Sequence, residues 1–145
     1  MKNKIILFLV LCFCINFAGI AQSTVHESVK FQSKKLGKEV SYSIYLPDGY
    51  ATSNRYYPVL YLLHGYTDNE TMWIQTGQMQ EITDRAINSD QAVPMIVVMP
   101  DAWDTWYINQ YDGKAPYEDM FFEELIPYIE KTYRARSNKE FRAIA

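Results

Sequence analysis

Two uninterrupted apolar runs stand out in the pattern of hydrophobic and polar positions. The first lies in Tyr57–Tyr66, reads YPVLYLLHGY and stops at His64-Gly65. The second, Met95–Met99, is bracketed by Pro94 and Pro100. A run without polar breaks is typical of a strand buried on both faces of a parallel sheet. Open α/β sheets bind ligands beyond the carboxyl ends of their strands, so the turn at His64-Gly65 is a candidate ligand site. An ordinary turn after a core strand is the alternative.

Alternation of apolar and polar residues precedes the first run and predicts two half-buried antiparallel strands. Val25–Ser33 alternates weakly and Glu39–Leu46 strongly, with Tyr45 among the residues of the polar, outward face. Leu36-Gly37-Lys38 joins the two strands, and Pro47-Asp48-Gly49 ends the second with strong turn chemistry.

Helical spacing of apolar residues fills the intervals around the second run. It predicts a short helical stretch around Trp73, capped by Asp68 or Asn69, and a helix from about Gln78 to Asn88. A longer helix is predicted over Tyr117–Tyr133. Its inner face is expected to carry Phe122, Leu125, Ile126, Ile129 and Tyr133.

The end of the chain continues the same alternation of strands and helices. Pro127 is expected to kink the longer helix, and Phe141–Ala145 reads as the start of a third central strand. Buried strands that alternate with helices imply right-handed crossovers, so the fold class is α/β with a parallel sheet.

The N-terminal segment has the three parts of a cleavable signal peptide. Lys2 and Lys4 form a positive region, Ile5–Ile15 is apolar, and Gly19 and Ala21 are suitably spaced small residues. We therefore expect residues 1–21 to be removed after Ala21 and the protein to be secreted or periplasmic, with no stable membrane anchor. An uncleaved anchor is the alternative. The domain then begins at residue 22.

Cysteine content and charge exclude several classes of function. Cys12 and Cys14 are the only cysteines and lie in the predicted signal, so the domain has no disulfide, thiol nucleophile or thiolate metal site. The chain carries 14 Lys and Arg against 17 Asp and Glu, and its basic residues form no stripe. This argues against nucleic acid as a partner. No glycine-rich phosphate loop occurs, which argues against a nucleotide enzyme.

Few residues could carry chemistry. His26 is expected at the surface of an edge strand, whereas His64 either acts as a general base or holds its turn by hydrogen bonds; the second is favoured. Asp101, Asp104 and Asp112 match no calcium-loop spacing and are expected to be solvated or to cap turns. No G-x-S-x-G occurs in the chain, so a serine triad cannot be assembled from it.

Several motifs together resemble one family. They are YLPDGY at Tyr45–Tyr50, YPVLYLLHGY at Tyr57–Tyr66, Trp73, MIVVMPDA at Met95–Ala102 and FFEELIPYIEKTY at Phe121–Tyr133. In order and spacing they resemble the esterase D and feruloyl esterase-like branch of the α/β-hydrolases. The resemblance implies an α/β-hydrolase fold of which this chain holds the N-terminal part. The nucleophile, acid and histidine are then expected beyond Ala145, and residues 22–145 alone are expected to be inactive.

The resemblance also gives the His64-Gly65 turn a role. One oxyanion-hole donor of these hydrolases lies in the loop after the first buried parallel strand, which by position is the Tyr66 N–H. The aromatic loop that follows the second run could line a substrate pocket through Trp103, Trp106 and Tyr107.

The function implied is serine carboxylic-ester hydrolysis with no cofactor or metal. The expected partner is a small-molecule or carbohydrate ester, as for feruloyl and acetyl-xylan esterases. Two alternatives stay open: an acyltransferase of the same fold, and a non-catalytic carbohydrate-binding or structural module.

Overall fold

The described part of the chain forms a five-stranded mixed sheet with helices packed against it. The computed structural model describes residues 22–145. The strand order in the sheet is β1-β2-β4-β3-β5. The strands are β1 Thr24–Ser33, β2 Lys38–Leu46, β3 Val59–Tyr61, β4 Ile96–Pro100 and β5 Arg142–Ile144. The α/β class and the order of elements along the chain are confirmed.

The helices lie on the connections between β3 and β4 and between β4 and β5. They are α1 Met72–Gln75, α2 Met79–Asn88, α3 Tyr117–Met120 and α4 Ile126–Thr132, with a π-helical segment at Phe121–Leu125 and a 3₁₀ turn at Lys139–Phe141. Thr71, rather than Asp68 or Asn69, is the N-cap residue of α1. The Asn69 side chain instead accepts hydrogen bonds from the Thr71 backbone and hydroxyl.

Strand β2 is buried on both faces, contrary to the prediction of a polar outer face. It lies between β1 and β4, both antiparallel to it. Tyr45 is fully buried and packs in a cluster with Met79 of α2 and Val97 and Met99 of β4. Its hydroxyl donates to Asp84 Oδ1 at 2.6 Å. Alternation misled here because a tyrosine can face a second apolar layer when its hydroxyl finds a partner.

The long helix over 117–132 covers the other face of the sheet. Leu125, Ile126 and Ile129 are buried as predicted, but the inward aromatic residue is not the predicted Phe122. Phe121 is 5% exposed and Phe122 is 51% exposed, so the inward residue is Phe121. Tyr117, Phe121, Leu125 and Ile129 are all buried. A strict four-residue spacing drifts around an α-helix by about 40° per step. The wider π-helical turn just before Pro127 offsets that drift and keeps the four residues on the sheet.

Three parallel strands meet at one edge of the sheet. Strand β3 lies between β4 and β5 and is parallel to both. Pairing continues beyond β3, because the Leu62 N–H donates to Val98 and the Leu63 N–H donates to Ala145. Leu60, Leu62 and Leu63 are only half-buried, so the apolar run is less enclosed than predicted. The carboxyl ends of β3, β4 and β5 therefore share the edge that carries His64-Gly65.

The sequence predicts a cleaved signal peptide and no stable membrane anchor. The predicted signal peptide, residues 1–21, lies outside the described residues. Within residues 22–145, no helix has both the length and the apolar character needed to cross a bilayer.

Candidate functional site

His64 holds the turn after β3 with both ring nitrogens. Nε2 accepts from the Ala102 N–H at 3.0 Å, so the proton of the neutral ring sits on Nδ1, which donates to the Gly65 carbonyl at 2.8 Å. The side chain is 3% exposed. Because neither nitrogen is free, His64 joins the end of β3 to the end of β4 and is not arranged as a general base. This agrees with the turn-holding role favoured by its sequence position.

Tyr107 and Trp73 fix the backbone on either side of His64. The Tyr107 hydroxyl accepts from the His64 N–H at 2.7 Å and donates to the His64 carbonyl at 3.3 Å. Trp73 Nε1 donates to the Leu63 carbonyl at 2.8 Å. Burial raises the pKa of the Tyr107 hydroxyl, which therefore stays protonated at neutral pH.

The turn itself leaves one donor exposed. The Asp68 N–H donates to the Gly65 carbonyl at 3.1 Å and closes the turn. A Cβ at Gly65 would lie 3.2 Å from Asp68 Oδ2, which is tighter than most Cβ contacts, so the Asp68 side chain would have to shift to accommodate it. Among residues 22–145, the Tyr66 N–H donates no hydrogen bond. Tyr66 as a residue is 57% exposed, so the unbonded donor belongs to an exposed residue of the turn.

An apolar cavity of about 190 Å³ lies beside this turn. Trp106 lines it and stacks on the Tyr66 ring, with ring centroids 5.1 Å apart and planes 13° apart. Its lining residues are Leu63, Trp106, Tyr107, Ile108, Glu118, Phe121, Phe122 and Ile144. Two of the three aromatic residues predicted to line a pocket, Trp106 and Tyr107, are among them.

Trp103 lies elsewhere in the same loop. Its ring packs edge-on against Tyr117, and Lys38 Nζ sits 3.4 Å from its centroid. It belongs to the border of the main core and does not line the cavity. Trp103, Trp106 and Tyr107 all have positive φ angles, between 52° and 61°. Three such residues in one loop store backbone strain next to the turn, a feature typical of binding sites.

The three aspartates after β4 act separately. Asp101 Oδ1 accepts from the Trp103 N–H, and Asp112 Oδ1 accepts from the Lys114 N–H, so both close turns. Asp104 is exposed. Asp101 is 7% exposed and lies 3.7 Å from His64 Nε2; burial is the main cause that raises the pKa of its carboxyl. Within residues 22–145, no group of three or more His, Cys, Asp or Glu side chains is arranged to hold a metal ion.

One hydrogen bond near the turn, between Glu70 and Ser28, has no signature in the sequence. Glu70 is 8% exposed, and its Oε1 accepts from the Ser28 hydroxyl at 2.7 Å. The two residues are 42 positions apart. No local periodicity links such a pair, so only the folded chain could reveal it. His26, by contrast, is exposed on β1, as its position predicts.

The arrangement offers an amide donor and an apolar cavity at the edge where β5 also ends. Ala145 is hydrogen-bonded between two residues of the neighbouring strand: its N–H donates to Tyr61, and its carbonyl accepts from Leu63. Ala145 is thus level with the last residues before the His64-Gly65 turn. Backbone N–H groups at such an edge stabilise an oxygen that becomes negative during acyl transfer.

Comparison with known proteins gives matches of one kind. A family model described as "Putative esterase" matches residues 33–145. An endo-1,4-β-xylanase/feruloyl esterase of Xylanibacter ruminicola is 35% identical over 126 residues, which is 82% of this chain. An esterase of Mycobacterium tuberculosis is 33% identical over 121 residues, 80% of this chain.

Solved structures agree with these matches. A ferulic acid esterase superposes with a TM-score of 0.78 at 35% identity over 85% of this chain. A ferulic acid esterase of Anaeromyces mucronatus, solved in complex with ferulic acid, gives a TM-score of 0.71 at 25% identity over 88% of this chain. The chain spans 17% and 25% of the two curated relatives and 49% of each of these two structures. The fold is therefore that of the α/β-hydrolase-type esterases, and this chain corresponds to about half of the length of each of these two solved chains.

Proposed function

We propose, since this chain belongs to the esterase family, that the full-length protein is an exported carboxylic-ester hydrolase acting through an acyl-serine intermediate. The nucleophile would follow β5 on a sharp turn of the G-x-S-x-G type. The acid and histidine would come later in the chain. Export follows from the signal-peptide pattern of residues 1–21.

One observation carries the proposal: the His64-Gly65 turn is rigidly held, yet it leaves the Tyr66 N–H unbonded within residues 22–145. A donor fixed in this way can bind the oxyanion of a tetrahedral intermediate without reorganising during the reaction. Losing one such donor costs about 3–4 kcal/mol of transition-state stabilisation. The alignment of Ala145 with Leu63 supports a nucleophile beside this donor, because the residues after Ala145 would emerge at the level of the turn.

The cavity supports an aromatic acyl group. Aromatic and aliphatic side chains dominate its lining, and Glu118 is its only charged member. Its volume of about 190 Å³ is of the order that one phenyl ring with a short side arm needs. The names of the relatives and the ferulic acid complex agree with a hydroxycinnamate ester. We propose such an ester, linked to a carbohydrate, as the substrate class.

The test is turnover by the full-length protein. Methyl ferulate should be hydrolysed to ferulate and methanol, and a fluorophosphonate should label one serine and abolish activity. Addition of a sugar alcohol as acceptor should leave the free acid as the main product; a transfer product in excess would overturn hydrolysis in favour of acyl transfer.

A simpler observation tests the mechanism. A serine flanked by glycines should follow Ala145 within about five residues. Its absence would rule out the acyl-serine route and favour a non-catalytic carbohydrate-binding module. Retention on an insoluble xylan column without any ester turnover would likewise favour the binding module over the hydrolase.

A further inference from the structure

The turn that carries the Tyr66 N–H is held at its far end by a buried carboxylate. Glu70 is 8% exposed, and its hydrogen bond from the Ser28 hydroxyl is the only one its carboxylate makes among residues 22–145. We infer that Glu70 and Ser28 are positioning residues for ester hydrolysis, an inference that rests on the proposed function. They act through the turn and do not touch the substrate.

Ser28 reaches Glu70 because β1 departs from regular strand geometry at this point. The register between β1 and β2 shifts between His26 and Val29, and Ser28 has a φ of 53°. A β-bulge leaves a residue outside the ladder and redirects its side chain. The Ser28 N–H, freed from the ladder, donates to the Ser43 hydroxyl at 3.2 Å.

This backbone conformation is costly for a serine. Residues other than glycine rarely adopt positive φ, and such strain persists only where the surrounding structure imposes it. Here the Ser43 and Glu70 contacts impose it. A glycine would adopt the same conformation without strain, but it could not reach Glu70. The serine therefore contributes its hydroxyl at the expense of local stability.

The turn lies between two residues that are hydrogen-bonded to other parts of the chain. His64 is the near point, tied to Ala102 and to the Tyr107 hydroxyl. Glu70 is the far point, four positions after Tyr66. Between them, Thr67 has a φ of 71°, and the hydrogen bond from Asp68 to Gly65 is internal to the turn. These contacts limit how far the segment that carries the Tyr66 N–H can move.

The other hydrogen bonds near Glu70 are either exposed or lie within the same segment of the chain. Gln75 Nε2 donates to Glu27 Oε2 at 3.2 Å, and this pair is exposed. The Asn69 side chain bonds only to Thr71, and the Asn69 carbonyl accepts from the Met72 N–H, both within the same segment. Trp73 Nε1 also donates to the Leu63 carbonyl, so loss of the Glu70–Ser28 bond would leave the turn anchored at His64 and through Trp73, and would loosen the segment between them.

The expected effect falls on the chemical step. Oxyanion donors act at about 2.7–3.1 Å, and a displacement of about 1 Å can cost about 100-fold in rate. The cavity lined by Trp106 and Phe122 does not involve Ser28 or Glu70, so substrate binding should be spared. A decrease in kcat of about 10- to 100-fold with unchanged KM is the predicted signature.

The decisive variant in the full-length protein is Ser28→Gly. It removes the hydroxyl but relieves the positive φ, which offsets part of the stability lost when the Glu70 carboxylate has no partner, so kcat should fall far more than the thermal midpoint does. A merely structural role predicts that activity and thermal midpoint change together. Glu70→Ala should reduce kcat to the same extent, and combining both changes should cost no more than either alone, because they remove the same bond.

Two further variants complete the test. Glu70→Gln keeps an oxygen that can accept from Ser28 and should restore most of kcat. Gln32→Ala is the matched control on the same strand; Gln32 is exposed and bonds only to the neighbouring Ser33 carbonyl. A wild-type protein without ester turnover would overturn the proposed function and this inference together. An active wild type whose Ser28→Gly variant keeps full kcat would overturn the inference alone.

Discussion

The core beneath the long helix and the edge above the parallel strands are stabilised by different means. In the core, Tyr61 packs edge-on against Phe121, with ring centroids 5.3 Å apart, and nearly all neighbours are apolar. At the edge, single hydrogen bonds that involve the side chains of His64, Tyr107 and Trp73 fix the backbone, and Tyr107 has a positive φ.

In this chain, stability and the geometry of the candidate site depend on different contacts. Many interchangeable contacts stabilise the core, so a loss there lowers the free energy of unfolding and alters the site only where a core residue, such as Phe121, also lines the cavity. Each contact at the edge is unique, so a loss there misplaces one backbone group. Changes in the core should therefore reduce stability first, and changes at the edge should reduce activity first.

The largest effect should come from the adjacent pair Phe121 and Phe122. Phe121→Ala removes a buried ring and should lower the free energy of unfolding by about 3–5 kcal/mol. Phe122→Ala removes a ring that is 51% exposed and should cost less than about 1 kcal/mol. Urea unfolding of both variants measures the difference. A larger loss for Phe122→Ala would mean that the helix rotation inferred from the π-helical segment is wrong.

A smaller effect, in activity, should follow substitution of His64. His64→Ala breaks the bonds to Ala102 and Gly65, so the turn loses its near anchor and kcat should fall by about 10- to 100-fold. The pH profile of the residual activity should keep its shape, because His64 does not exchange the catalytic proton. His26→Asn is the control, since His26 is the only other histidine and is exposed. Loss of the pH inflection in His64→Ala would contradict the anchoring role.

The smallest expected effect is on the free energy of unfolding, which should depend on pH with opposite signs for Asp101 and Asp112. Burial raises the pKa of Asp101, and the nearby Glu70 adds to it, against the Trp103 N–H, His64 and Lys30. The folded state then holds this proton more tightly than the unfolded state does. Stability is lost as the pH rises from the ordinary carboxyl pKa through the raised one. Asp101→Asn should therefore raise the free energy of unfolding at pH 7 and leave it unchanged near pH 3.

The pKa of Asp112 is shifted in the opposite direction from that of Asp101. The Lys114 N–H and ammonium lower the pKa of its carboxyl, so its contribution is present at neutral pH and is lost as the pH falls through the lowered pKa. Asp112→Asn should slightly lower the free energy of unfolding at pH 7. Urea unfolding of both variants at pH 7 and pH 3 measures these differences; shifts of the same sign at pH 7 would contradict the contrast.

Most of the fold could be predicted from the sequence because it depends on local hydrophobic patterns. The apolar run before His64 and the run bracketed by Pro94 and Pro100 both form strands, and α2 occupies Met79–Asn88. Leu125, Ile126 and Ile129 were placed correctly on the inward side of the long helix, but Phe121 was missed because the π-helical turn changes the period that the prediction assumes. Tyr45 was missed because alternation does not reveal a second layer above β2.

The candidate site could be located from the sequence but not described. The end of β3 is visible as the point where the apolar run stops, and the turn-holding role of His64 follows from its place there. The partners of the turn are distant in the chain: Ala102 lies 38 positions from His64, and Ser28 lies 42 positions from Glu70. Hydrogen bonds between such residues leave no periodic trace. The bulge at Ser28 is likewise invisible, because serine carries no marker for positive φ.

The stack of Trp106 on Tyr66 has an optical consequence. Trp106 is 68% exposed and lines the cavity beside the turn, so its indole is a native fluorophore at the place where an acyl group would bind. The sequence contains only two other tryptophans, Trp73 and Trp103. Occupancy of the cavity can therefore be followed by intrinsic emission, without attaching a dye to a chain whose described part has no cysteine.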